Sequence, residues 1–183
     1  IYVAYNAVLN KDAVINNEIS GNTNTAQLKY GNGSTVEETT NTYSFKFDLV
    51  KTDKDGKLLK GAKFKLYDSK DSATAIPLVK DADGNYRVAE TGESNSVNEI
   101  EINDFKAVTI SGLNKRTYYL EETKAPDGYN VLVDRKAVEL SANGFVGTAV
   151  INGNDEGAAY DNGGIQVINN AGATLPSTGG MGT

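Results

Sequence analysis

The chain has 183 residues, of which 39% are hydrophobic, and a formal net charge of −6; that suffices for one good core, or one core and part of another, while interspersed acids and bases leave no basic stripe for nucleic acid and no polybasic face for a membrane. Cysteine and histidine are both absent, which excludes disulfides, thiolate chemistry and imidazole or thiolate metal sites and leaves only oxygen ligands of the calcium type. Ten Tyr and nineteen Gly, many Thr and Val, and recurring Asn-Gly and Asp-Gly pairs without a helix-period run predict short strands joined by tight turns, hence an all-β sandwich.

Residues 1–9, IYVAYNAVL, have a strand's composition, as do residues 23–30, TNTAQLKY, and GNGSTVEETTN (31–41) reads as a linker. Two strands are too few to stand alone in water. Residues 1–40 are therefore expected to be the last strands of a preceding domain plus a linker, with Asn24 sharing the parity of Ala26 and Leu28. A main domain follows at 42–172. Phe45, Phe47, Leu49 and Lys51 alternate into its first strand, TDKDGK (52–57) makes an Asp-Gly hairpin turn, and Ala62, Phe64 and Leu66 alternate into a second strand. KDADGNY (80–86) is another such turn, and neither has the ligand spacing of an EF-hand. Residues 91–103 form a long polar surface loop with a short strand at 99–102, and residues 106–123 give a strand, a turn centred on Gly112 and another strand.

That strand carries Tyr118, Leu120 and Glu122 at one parity, so the carboxylate points inward. A lone buried charge is costly enough that partners are required. Pro126, Asp127 and Gly128 make the next turn, and VLVDRKAVEL (131–140) reads as a hairpin around Asp134 and Arg135. In the glycine-rich stretch 144–164, Asp155, Glu156 and Asp161 could collect a hard cation, but acids on such loops are usually solvated, and neither metal nor cofactor is expected. Ile165, Val167 and Asn169 alternate into the last strand, 164–170, and a small-residue tail occupies 173–183. Parity thus assembles an inward triad of Lys51, Glu122 and Asn169. A salt bridge with a nearby hydrogen-bonding asparagine and a reactive lysine–asparagine pair both satisfy it, and a bulge would substitute Asn170 for Asn169.

YYLEETKAPDGYN (118–130) resembles the E-box of Gram-positive pilins, whose pattern YxLxETxAPxGY is met at Tyr118, Leu120, Glu122, Thr123, Ala125, Pro126, Gly128 and Tyr129. Residues 45–68 are similar to the opening of a collagen-adhesin B-type (Cna-B) domain, and residues 165–180 resemble its last strand followed by a sortase sorting motif. The resemblance implies an Ig-like (Cna-B-type) sandwich in which Lys51 and Asn169 join in an intramolecular isopeptide bond promoted by Glu122. It implies that Asn24 could belong to a preceding domain's own bond, and that Leu175, Pro176, Ser177, Thr178 and Gly179 form a sortase substrate cut after Thr178. The implied role is a structural subunit of a covalently polymerised pilus, secreted and held at the cell wall, with other pilin subunits, sortase and host surface molecules as partners. Membrane contact is expected only transiently, through a C-terminal anchor: LPSTGGMGT lacks the hydrophobic span and basic tail that normally follow, so the chain reads as an excised piece. A wall-anchored adhesin or minor pilin gripping host matrix is the alternative, and a conventional enzyme is not expected.

The chemistry needs no external catalyst. Attack by Lys51 on the amide of Asn169 requires a neutral amine, which an apolar surround favours, and a carboxyl that hands on protons as ammonia leaves. Fixed proximity supplies effective molarities on the order of 10⁵ to 10⁸ M. A crosslink spanning nearly the whole domain would stabilise it by about 5 kcal/mol on the chain-entropy estimate used for disulfides.

Overall fold

The computed structural model describes residues 4–15, 21–34, 37–143, 146–150, 159–160 and 164–172. Among them every regular element is a strand, and no helix is long and apolar enough to cross a membrane. The N-terminal part holds β1 (Asn22–Ala26), β2 (Lys29–Tyr30), β3 (Gly33–Ser34) and β4 (Glu38–Thr42). β1 pairs with β4 and β2 with β3, both antiparallel. Residues 4–9 are irregular instead of the expected strand. The stretch read as a linker contains β3 and most of β4, and the latter finds partners across to β1: Asn41 Oδ1 accepts from Thr23 Oγ1 at 2.9 Å, and the Thr39 and Thr25 hydroxyls meet at 3.3 Å. Contacts among the described residues tie this region to the rest. Ile15 bridges Ser44, and the Lys11 N–H donates to Glu90 at 2.8 Å.

The remaining strands are β5 (Phe45–Asp53), β6 (Lys63–Tyr67), β7 (Leu78–Lys80), β8 (Tyr86–Val88), β9 (Ile100–Glu101), β10 (Val108–Leu113), β11 (Thr117–Lys124), β12 (Lys136–Asn143), β13 (Val146–Val150), β14 (Ala159–Tyr160) and β15 (Gly164–Asn169). They build a sandwich of a six-stranded sheet, β14-β15-β5-β10-β8-β7, on a five-stranded sheet, β13-β12-β11-β6-β9. The first and last strands, β5 and β15, are parallel neighbours, with Lys51 opposite Val167 and Asp53 opposite Asn169. Phe47, Leu49, Ile110 and Val167 of the six-stranded sheet and Phe64, Leu66, Leu120 and Val138 of the five-stranded sheet belong to one buried cluster. Each large apolar side chain so buried contributes about 1.5–3 kcal/mol.

Both predicted Asp-Gly turns are present and share one geometry. Asp53 Oδ1 accepts the N–H groups of Asp55 and Lys57 at 3.0 and 2.9 Å, and Asp81 Oδ1 accepts those of Asp83 and Asn85 at 2.9 and 2.8 Å. The second turn joins β7 to β8 as a hairpin. The first does not pair β5 with β6: after a short bridge from Thr52 to Leu58 the chain crosses to the other sheet, where β6 lies beside β11. Gly112 lies inside β10 rather than in a turn, at a register shift between Ile110 and Leu113. Its φ of +75° and the Val88 nitrogen 3.4 Å from where a Cβ would stand suit glycine. Residues 131–135 form no strand, so the hairpin expected around Asp134 and Arg135 is replaced by an irregular loop from β11 to β12, which are antiparallel neighbours.

Two carboxylates fasten the periphery. Arg87 grips Glu93 through both guanidinium nitrogens, while Glu101 meets Lys63 at 3.0 Å, Lys80 at 3.3 Å and the Asn103 amide at 3.2 Å. Each is lowered from 4.5 to about 2, Glu93 chiefly by its hydrogen bonds from Arg87 and Glu101 chiefly by the hydrogen bond from Lys63. Because the folded values lie below the unfolded ones, their stabilisation is fully present above about 4.5 and is lost as the pH falls toward about 2. Urea midpoints should fall across that window, and Glu101→Gln should make the fall shallower; an unchanged slope in the variant contradicts the assignment.

Candidate functional site

Among the described residues the buried polar or charged side chains are Ser44, Lys51, Thr52, Glu122 and Asn169, so Lys51 and Glu122 are the only charged types in the interior. All three triad residues occupy strands flanked on both sides within their sheets. Lys51 extends the inward row of Phe45, Phe47 and Leu49 and is 1% exposed; Asn169 ends the row of Ile165 and Val167 and is fully buried. Glu122 reaches them from the facing sheet, where its strand partner is Phe64.

The Asn169 amide is held by both hydrogens. Its Nδ2 donates to Glu122 Oε2 at 2.8 Å and to the Asn130 carbonyl at 2.6 Å. These two acceptors decide which end of the amide is NH2. The same Glu122 oxygen also accepts the backbone N–H of Leu132 at 2.9 Å. Lys51 Nζ donates to the Val167 carbonyl at 2.7 Å and to the Thr52 carbonyl at 3.3 Å. Glu122 Oε1 and Asn169 Oδ1 are buried and have no hydrogen bond among the described residues. The structure therefore gathers an amine, an amide and a carboxyl in a buried interior, which are the groups that transamidation requires. Among the described residues no group of three acidic side chains is placed to share a cation.

The turn after β11 presses on this site from outside. The Tyr129 N–H donates to the Pro126 carbonyl at 3.1 Å, with Gly128 at φ +86°. This turn then pairs with the exit of β15: Asn130 N–H to the Asn170 carbonyl at 3.1 Å, Gly172 N–H to the Gly128 carbonyl at 2.8 Å. Asn170 thus uses its backbone in this pairing and exposes its side chain, while Asn169 faces Glu122. Tyr118 closes the other end of β11, its hydroxyl accepting the Asn114 N–H at 2.9 Å.

Asn24 lies on the exposed β1, opposite Thr40, and accepts the Tyr5 hydroxyl at 2.9 Å. Leu175, Pro176, Ser177, Thr178 and Gly179, and likewise Asp155, Glu156 and Asp161, lie outside the described residues. The groups that sequence reasoning missed are Asn130 O and Leu132 N–H. Both belong to the backbone, which leaves no residue-type signal.

A family model described as SpaA, prealbumin-like fold domain, matches residues 45–155, a span that begins with β5 and ends before β15. Among solved structures, the pilus 2b backbone protein of group B streptococcus is similar at 28% identity and a TM-score of 0.50, over 85% of this chain and 52% of that one. The minor pilin of Streptococcus agalactiae is similar in fold at 23% identity and a TM-score of 0.50, over 72% of this chain and 46% of that one. The chain spans about half the length of each. No curated protein matches it.

The geometry separates the two adjacent asparagines. Asn169→Ala strips Glu122 Oε2 and Asn130 O of a buried donor and should cost at least about 1–3 kcal/mol, whereas Asn170→Ala should change stability by under about 0.5 kcal/mol. Urea denaturation of the two variants measures the difference; equal losses would mean that Asn169 is not the asparagine of the site.

Proposed function

The chain belongs to the family of SpaA prealbumin-like fold domains, and from that membership we propose that it is part of a structural subunit of a Gram-positive surface pilus, joined to its neighbours by sortase and crosslinked internally between Lys51 and Asn169. The observation that carries the internal bond is the burial of Lys51, Glu122 and Asn169 together, with Asn169 Nδ2 donating to Glu122 Oε2 at 2.8 Å.

In the proposed reaction the lone pair of Lys51 Nζ forms a bond to Asn169 Cγ, and the C=O π pair moves onto Oδ1. As that pair returns, the Cγ–Nδ2 bond breaks. One proton travels from Nζ through the Glu122 carboxyl to Nδ2, which leaves as ammonia, and Glu122 ends as it began. The product is a secondary amide, and the turnover is single and self-directed, so the chain is not an enzyme in the ordinary sense. In a cysteine-free chain such a crosslink resists reductants.

The likeness to a backbone protein at 28% identity favours a place in the pilus shaft. In this reading Leu175 to Gly179 are offered to sortase, the carbonyl of Thr178 passes to an amine of the next subunit, and residues 1–40 are the end of a preceding domain. The assembled fibre would sit at the cell wall, with host surface molecules as contacts.

Intact-mass measurement should find the protein lighter by one ammonia, with Lys51 and Asn169 in one crosslinked peptide. Glu122→Ala should fold, keep its ammonia and melt lower, by an amount reflecting the loss of about 5 kcal/mol. The full unreacted mass in the wild-type chain, or a crosslink that omits Lys51, would sink the reading.

A further inference from the structure

Residues 125–135 join β11 to β12 without a strand of their own, yet both ends are fixed. One end pairs with the exit of β15 through Gly128 and Asn130. At the other, Arg135 uses its whole guanidinium. Nη1 donates to the Lys70 and Ser72 carbonyls, each at 2.8 Å, Nε donates to Glu121 Oε2 at 2.9 Å, and Nη2 lies 2.8 Å from the same oxygen. The guanidinium carbon also stands 3.5 Å from the centre of the Tyr67 ring. Between these anchors Val131 and Val133 face outward, at 50% and 97% exposure, while Leu132 packs on the core. That alternation turns two backbone groups toward the triad: the Asn130 carbonyl onto Asn169 Nδ2 and the Leu132 N–H onto Glu122 Oε2.

We propose that this strap forms the leaving-group site for crosslinking, with Arg135 as the residue that positions it. The inference rests on the Lys51–Asn169 reading given above. Nδ2 is the nitrogen that departs, and it already lies between two acceptors, Asn130 O and Glu122 Oε2. When the Cγ–Nδ2 bond breaks and Nδ2 gains the proton that began on Nζ, the same two oxygens hold the ammonia. The Leu132 N–H meanwhile holds the Glu122 carboxyl with Oε2 toward Nδ2, so that the oxygen that takes the proton from Nζ is the one that passes it to Nδ2. A half-exposed ion pair such as Arg135 with Glu121 contributes little stability by itself. The three hydrogen bonds, the ion-pair contact and the stacked ring define a location, and a displacement of about 1 Å at a reacting group can slow a reaction by up to 10²-fold.

Cell-free synthesis of the full chain, sampled over time by intact mass, reads the rate of ammonia loss in molecules that have become protease-resistant. Arg135→Ala should slow that rate by on the order of ten- to a hundredfold, and Arg135→Lys, which keeps the charge but not the fork, should fall between it and the wild type. Arg87→Ala, which breaks an equally well-formed fork with Glu93 away from the strap, should react at the wild-type rate. Should Arg135→Ala fail to fold when combined with Asn169→Ala, the Arg135→Lys rate decides. A wild-type rate in the Arg135 variants, or an equal slowing by Arg87→Ala, overturns the positioning role while leaving the triad reading intact. A wild-type chain that never loses ammonia overturns the triad reading, and this inference with it.

Discussion

A carboxyl sealed between two sheets must be given donors by the residues around it, and at Glu122 that requirement shapes everything nearby. Among the described residues its hydrogen-bond partners are Asn169 and the Leu132 N–H, both on the same oxygen. To bring the first, β15 must end against β11's face; to bring the second, the chain leaving β11 must fold back over the site instead of pairing away from it. The turn at Pro126 to Gly128 and its pairing with residues 170–172 accomplish both movements. Gly172 fits this packing closely, since a Cβ there would stand 3.3 Å from Asn130 Oδ1 and 3.4 Å from the Gly128 carbonyl.

The components are divided between the layers. Lys51 and Asn169 lie on adjacent parallel strands of one sheet, and Glu122 lies on the other. Neither sheet alone contains the three groups, so the site comes into being only when the sandwich closes. That ordering matters for any chemistry here, because the burial that favours a neutral amine is itself a product of folding. The backbone carbonyls of Val167 and Thr52 on Lys51 Nζ belong to the same sheet as the lysine, and they hold its end near the exit of β15.

Side-chain periodicity made much of this legible. Lys51, Glu122 and Asn169 each end or continue an apolar row of period two, and a polar residue in such a row has to be inside. The turns were legible because aspartate and glycine at fixed offsets have a specific hydrogen-bonding use, seen at Asp53 and Asp81. Other features left no such trace. A carbonyl at Asn130 and an N–H at Leu132 exist at almost any residue, and only the path of the chain gives them a role. Arg135, flanked by Asp134 and Lys136, has the composition of a turn; its stacking on Tyr67 depends on a strand more than sixty residues earlier. β4 was hidden by polarity, since Thr and Asn in an exposed pair show no apolar alternation. The crossing after β5 was hidden for another reason: a tight turn announces that the chain reverses, not which sheet receives it.

The pairing of β5 with β15 has a mechanical side. The two strands run parallel through six aligned residue pairs, from Asp48 with Gly164 to Asp53 with Asn169. The chain enters this pair at the start of β5 and leaves at the end of β15, which are opposite ends of the pair. A pull on the two termini of the sandwich is therefore directed along the strands and loads their hydrogen bonds side by side. In an antiparallel arrangement with both termini at one end, the bonds would open one after another. By setting its first and last strands parallel, this fold meets stretching in shear, the direction in which a short ladder of evenly spaced bonds shares the load.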